Sequence, residues 1–227
     1  MLPALLELSH LLRAHLEYHH RLLTIELRGC GLDCYRGHSD RTRGQGYAWT
    51  PGIHTTEQIA GSPKVTEAVH AREGGIFEQL WHVGRVSHTS LQPESAAPVS
   101  ASAIATEQVS VFIETEPGAG ALVRPSAPRA LTTREVEELV QLCIQAARNA
   151  MEAGFDGIEL HCVNGYLVNQ FISVHSNHRE DQYGGSLHNR LRFLREVVAG
   201  VAECIGKEKV GVRFAPLSAA PMRSALT

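Results

Sequence analysis

The chain has 227 residues, 43% of them hydrophobic and 20% charged, with a formal net charge of −3. This is the make-up of a globular sequence long enough for one large domain or two small ones, and with no Lys/Arg cluster it argues against nucleic acid or an acidic membrane surface as a partner. Five scattered cysteines speak against a disulfide framework and for a reducing compartment, and no run reaches membrane-spanning length, so a cytoplasmic location is expected.

In chain order, leucines at 2, 5, 6, 12, 16 and 23 have the spacing of an amphipathic helix over residues 1–23. His15 and His19 lie four apart, and Cys30 and Cys34 sit in GCGLDC. Neither pair has the further ligands that a metal site needs, and no metal is expected. Residues 29–46, rich in Gly, Arg, Asp and Ser, read as a connector. A helical pattern then begins at Thr56 and is interrupted or restarted by Pro63, running on to His70 before Gly74-Gly75.

A strand over residues 76–81 follows, with Phe77, Gln79 and Trp81 on one face. From 84 to 130 the chain is loop-like with five prolines, and only residues 108–114 alternate as a strand does. Thr132 or Thr133 caps a helix with Glu135, Glu137 and Glu138 near its start and a buried stripe of Val136, Leu139, Val140, Cys143, Ala147 and Ala150. Gly154 ends it, and residues 155–160 form the next strand. Ser186 caps a helix over residues 187–204, Gly206 closes it, and residues 209–214 form a last strand carrying Arg213. Repeated helix–strand alternation without hairpin signals between the main strands favours an α/β fold, either a parallel barrel or an open sheet.

The strand over 155–160 releases His161, Asn164 and Tyr166 in quick succession. A strand end that delivers polar side chains into a loop is where α/β barrels build active sites, because the sheet positions the loop while the side chains stay accessible. A Schiff-base enzyme of the same architecture would want a lysine there, whereas Lys209 stands at a strand's start.

The blocks FEQLWHVGRVSHTSLQP, PRALTTREV, GFDGIELHCVNGYLVNQF, SNHREDQYGGSLHNR and VGVRFAP, in this order, resemble the old yellow enzyme family of FMN-dependent ene-reductases, including 12-oxophytodienoate and N-ethylmaleimide reductases. The likeness covers residues 44–216. It leaves a divergent segment over 1–43 and a non-matching tail over 217–227. It implies an incomplete TIM (β/α)8 barrel of the old yellow enzyme type. It also implies FMN and NAD(P)H as cofactors and reduction of the C=C bond of an α,β-unsaturated carbonyl compound, a small-molecule enone.

By resemblance, His161 and Asn164 are the hydrogen-bond donors to the substrate carbonyl, and Tyr166 is the proton donor to the α-carbon. Gln79 hydrogen-bonds the flavin, Arg213 stabilises its anionic form, and Trp81 walls the substrate pocket. Each also has a plainer reading. His161 at a strand end could be structural, and Gln79 and Arg213 could pair with one another or with Glu159. Arg85 is equally suited to fixing a loop, Arg179, Asp181, Tyr183 and Asn189 to locking a turn, and Cys162 to filling apolar space. The family's N-terminal strand and its last strands, with the FMN phosphate site, have no counterpart in the residues read here. Two outcomes therefore stand open: an FMN-dependent ene-reductase, or a truncated, catalytically silent relative without stable FMN binding.

Overall fold

The computed structural model describes residues 43–107 and 109–214. The expected helix over 1–23, His15 and His19, Cys30 and Cys34, and the tail from 215 onward lie outside the described residues. Three parallel strands form the centre, β1 (Phe77–Leu80), β6 (Gly157–His161) and β7 (Val210–Arg213), hydrogen-bonded in the order β1-β6-β7. Two smaller sheets flank them. One is a parallel pair, β2 (Val99–Ser100) with β5 (Arg129–Ala130), and the other an antiparallel hairpin, β3 (Val111–Glu116) with β4 (Ala119–Val123). The described residues are thus α/β with parallel main strands, as the alternation predicts, and they do not form a closed barrel.

The helices start where their caps dictate. In α1 (Thr56–Gly61) Thr55 and Gln58 form a capping box, and Pro63 restarts the chain as the first residue of α2 (Pro63–His70). In α3 (Thr133–Glu152) the Thr132 hydroxyl accepts from the Glu135 amide, while Glu135 accepts from the Thr132 amide at 2.8 Å. Arg129 donates to Glu135 at 2.6 Å and holds its carboxyl down to about 2. All six stripe residues named from the sequence are buried on α3.

The run 187–204 is two helices rather than one. Ser186 caps α5 (Leu187–Arg190), Leu191 opens to ψ −8°, and α6 (Arg192–Ile205) continues with Phe193, Leu194, Val197 and Val201 buried. Between β6 and α5, α4 (Leu167–Ile172) is short and packs Leu167 and Phe171 inward.

Strand register explains which side chains face which way. Gln79 pairs with Glu159, and His161 with Arg213. Side chains alternate, so Ile158 and Leu160 enter the core shared with α3 and α6, while Glu159 and His161 stand on the opposite face with Gln79 and Arg213. Burying Ile158 completely contributes about 1.5–3 kcal/mol.

Phe155 and Asp156 precede the strand instead of opening it. Phe155 is in the core, and the Asp156 carboxylate accepts the Ile76 amide at 2.7 Å. The strand expected over 108–114 starts at Val111 and has a partner, β4, that the sequence reading missed, although Pro117-Gly118 between them is a turn signal.

Candidate functional site

At the C-terminal ends of β1 and β6 the structure gathers Trp81, His161 and Tyr166. Trp81 meets Tyr166 edge-on with ring centroids 4.8 Å apart, His161 lies 5.2 Å from Tyr166, and Trp81 and His161 are 6.1 Å apart at 80°. His161 is 7% exposed, set between these rings at the strand's last residue. Asn164 is exposed, yet its Nδ2 comes back to within 3.4 Å of His161 Nε2. That return is possible because Asn164 and Gly165 take φ of 58° and 72°, the left-handed region that Asn and Gly tolerate best.

Tyr166 is half-buried and N-caps α4 with its backbone. Its hydroxyl lies 3.2 Å from that of Tyr47, which stacks on Trp81 at 5.9 Å and 17°. Burial first, and then the Tyr47 hydroxyl, pushes the Tyr166 phenol above its ordinary range. The phenol accordingly keeps its proton throughout the neutral range. The sequence reading missed Tyr47. It sits in the turn-rich stretch GQGYAWTPG, where nothing local marks a side chain destined for a site 119 residues away.

Gln79 and Arg213 converge, though not on one another. Gln79 Nε2 donates to Glu159 Oε1 at 2.6 Å, and an Arg213 guanidinium nitrogen lies 3.4 Å from the same oxygen. The pairing with Glu159, one of the plainer readings of these residues, is therefore present. Arg213 and Glu159 remain 40% and 35% exposed along their side chains, so the cluster also faces open space on the site's side of the strands.

The neighbouring residues divide in the same way. His82 is buried, accepts the Gly84 amide through Nδ1 at 3.0 Å, and is held down to about 3 by burial and by the Arg43 charge, so it stands neutral. Arg85 donates to the Ile104 carbonyl and His88 caps a short 3-10 turn, which are loop-fixing roles. Arg179 ties Asp181 to the carbonyls of Ala101 and Leu131, the Tyr183 hydroxyl donates to Glu196 at 2.8 Å, and the Asn189 amide donates to Ser186. The Cys162 thiol, 1% exposed and pushed up by burial, points to the Leu160 carbonyl and lines a cavity of about 20 Å³ with Cys143 on the helix side of the strands. Among the described residues no three His, Cys, Asp or Glu side chains are grouped to hold a metal.

A profile of the NADH:flavin oxidoreductase / NADH oxidase family matches residues 34–225. The chain belongs to this family. Its members of the old yellow enzyme type are what the five sequence blocks resemble, and FMN with a nicotinamide cofactor is the family's redox pair. Among curated relatives, 12-oxophytodienoate reductase 7 of Oryza sativa subsp. japonica is 45% identical over 173 residues, covering 76% of this chain and 43% of the relative. For 12-oxophytodienoate reductase 2 of Arabidopsis thaliana the identity is 44% over 176 residues, with 77% and 45% covered. Morphinone reductase in complex with tetrahydroNAD superposes with a TM-score of 0.77 at 46% identity, over 83% of this chain and 50% of that one. The chain thus spans less than half the length of these curated relatives. Among the described residues no helix is long and apolar enough to cross a membrane.

Proposed function

We propose that this chain carries the substrate-activating half of an FMN-dependent ene-reductase that acts on an α,β-unsaturated carbonyl compound with NAD(P)H as the source of electrons. The observation that carries this is the meeting of His161, Asn164 and Tyr166 at one strand end, with Trp81 against them. The residues present fit a flavin. Gln79 offers an amide and Arg213 a cation on the site's face of β1 and β7, and the Trp81 indole N–H is buried with no hydrogen-bond partner among the described residues. FMN, when bound, would supply the hydride for the β-carbon.

The side chains account for the rest. Hydride addition to an enone builds negative charge on its carbonyl oxygen. His161 Nε2 and Asn164 Nδ2, 3.4 Å apart, are close enough that one oxygen can lie about 3 Å from both. With the imidazole proton on Nε2, both donate, and two donors aimed at a developing oxyanion lower the barrier by several kcal/mol, about 3 for each. Tyr166 holds a proton that its raised pKa keeps in place until a strong carbon base forms beside it. The Tyr47 hydroxyl, 3.2 Å away, adds to the burial that holds this proton in place.

A second reading, a chain without stable FMN binding, is favoured by the engagement of Gln79 and Arg213 with Glu159. Flavin titration separates the two. The purified chain is expected to retain FMN absorbance on desalting and to gain melting temperature as FMN is added. Failure of both would overturn the enzymatic reading for this polypeptide.

A further inference from the structure

Both backbone polar groups of Gly165, the residue between Asn164 and Tyr166, are held by adjacent side chains of α4. The Gly165 amide donates to Asn169 Oδ1 at 3.1 Å, and its carbonyl accepts from Gln170 Nε2 at 2.7 Å. Gln170, 1% exposed, makes every hydrogen bond its amide allows. Nε2 also donates to the Val83 carbonyl at 3.0 Å, while Oε1 accepts from the Arg85 amide at 3.1 Å and from Ser100 Oγ at 3.0 Å. Its four partners come from three segments: the loop after β1, strand β2 and the turn after β6.

The loop after β1 is shaped around this amide. Gly84 sits at φ 61°, and a Cβ there would stand 2.1 Å from Gln170 Oε1. One further bond, Leu167 N to the His82 carbonyl at 2.9 Å, joins the same two loops. Two successive left-handed residues do not hold themselves in place, since the conformation is costly for Asn164 and indifferent for Gly165.

We infer that Gln170, with Asn169, is the positioning residue of the proposed site. Its saturated amide sets the separation between the strand end bearing Trp81 and the turn that brings Asn164 to His161 and Tyr166 to Tyr47. This rests on the reading above for its chemical consequence, but not for its geometry. Gln170 touches none of the reacting atoms. It acts through Gly165, and a turn displaced by about 1 Å is enough to cost a reaction about 100-fold.

Gln170→Glu is the decisive variant, because the introduced carboxylate keeps both acceptor contacts yet faces the Val83 and Gly165 carbonyls with no proton to donate. Among titratable side chains on the segments it touches, Arg85 turns its guanidinium to the Ile104 carbonyl, His82 stands neutral, and Tyr166 meets Tyr47. None of these supplies a cation to the new carboxylate. Protonation at lower pH restores one O–H donor.

In the protein without FMN, amide exchange at Gly165, Tyr166 and Leu167 is expected to quicken about tenfold or more in Gln170→Glu at neutral pH and to return toward the wild-type rate as pH falls. Asn169→Asp, which keeps the acceptor, is expected to protect Gly165 as Asn does, and Asn169→Leu to lose that protection. In the FMN-loaded protein the enone half-reaction is expected to slow about tenfold or more in Gln170→Glu, with flavin reduction by NAD(P)H near wild type. Unchanged exchange in the turn, or equal slowing of both half-reactions with a lowered melting temperature, overturns the positioning role. If wild type itself binds no FMN, the proposed function fails while the exchange data still decide the role of Gln170.

Discussion

The hydroxyls of Tyr47 and Tyr166 lie 3.2 Å apart although the residues are separated by 119 positions, and Trp81 packs against both rings. This contact joins the turn before α1 to the turn after β6 and adds to the burial that raises the phenol's pKa at the candidate site. Replacing Tyr47 by Phe removes the hydroxyl's share of the upward shift and leaves burial, the larger cause. Tyr166 should then ionise at lower pH than in wild type yet still above an ordinary phenol, as read from phenolate absorbance. Stability should fall by about 0.5–1.5 kcal/mol in the denaturant midpoint. An unmoved phenolate titration would remove Tyr47 from this role.

If Tyr166 is the proton donor, Tyr166→Phe in the FMN-loaded protein should slow the enone half-reaction by about 100- to 10,000-fold and leave NAD(P)H oxidation near wild type. Stopped-flow traces of the two half-reactions check this. Equal rates for wild type and variant with an enone would assign the proton to another donor.

Burial of His82 makes stability depend on pH. Its folded pKa, about 3, lies below the ordinary value of 6.5, so between these the unfolded chain binds a proton that the folded one refuses. This contribution is fully present above about 6.5 and is lost as pH falls toward 3. Glu135 and Asp181, both held down to about 2 by arginines, add their own loss only below the ordinary carboxylate range, near 4. The slope of unfolding free energy between pH 6.5 and 5 therefore reports His82 together with His54, which burial also holds down. His82→Asn, whose side-chain oxygen can still accept the Gly84 amide, should reduce the slope and leave the share of His54, and an unaltered slope would remove His82 from this role.

The thiols sort by burial. Cys143 and Cys162 are 3% and 1% exposed, and the Cys162 thiol is held up by its surroundings, while Cys204 is partly exposed on α6. A maleimide should label Cys204 in the native protein and reach Cys143 and Cys162 only in denaturant, as resolved by peptide mass spectrometry. Native labelling of Cys162 would show that the strand end opens far more readily than its packing implies.

Packing against the strands sets the scale for core changes. Phe171 is fully buried against Phe193 at 4.8 Å and Tyr183 at 6.2 Å, with the Arg179 guanidinium 5.8 Å from its ring. Phe171→Ala should cost about 3–5 kcal/mol in urea unfolding, against about 0.5–1.5 for Ile158→Val. Reversal of that order would mean that the α4 region is only loosely docked.

The sequence alone determined the α/β alternation, a cap at Thr132 or Thr133, the cap at Ser186, the buried stripe of α3 and the strand end bearing His161, because periodicity, capping and strand termination are local properties. It also marked Asn164 and Tyr166 as candidates, through the resemblance of their spacing after His161 to that of the family. The break at Leu191 and the strand β4 were less legible. A helix pattern does not record where one ψ opens, and the Pro117-Gly118 signal was hidden in a proline-rich stretch.

Tertiary structure alone decided the partners. Glu159 takes both Gln79 and Arg213, Tyr47 meets Tyr166, and Gln170 spans three segments. These pairs are brought together by strand order and loop closure, and side chains 54 to 119 residues apart carry no joint signal in one chain's sequence. For Glu159, Gln79 and Arg213 the register of β1, β6 and β7 creates the proximity, and that register exists only once the sheet has formed.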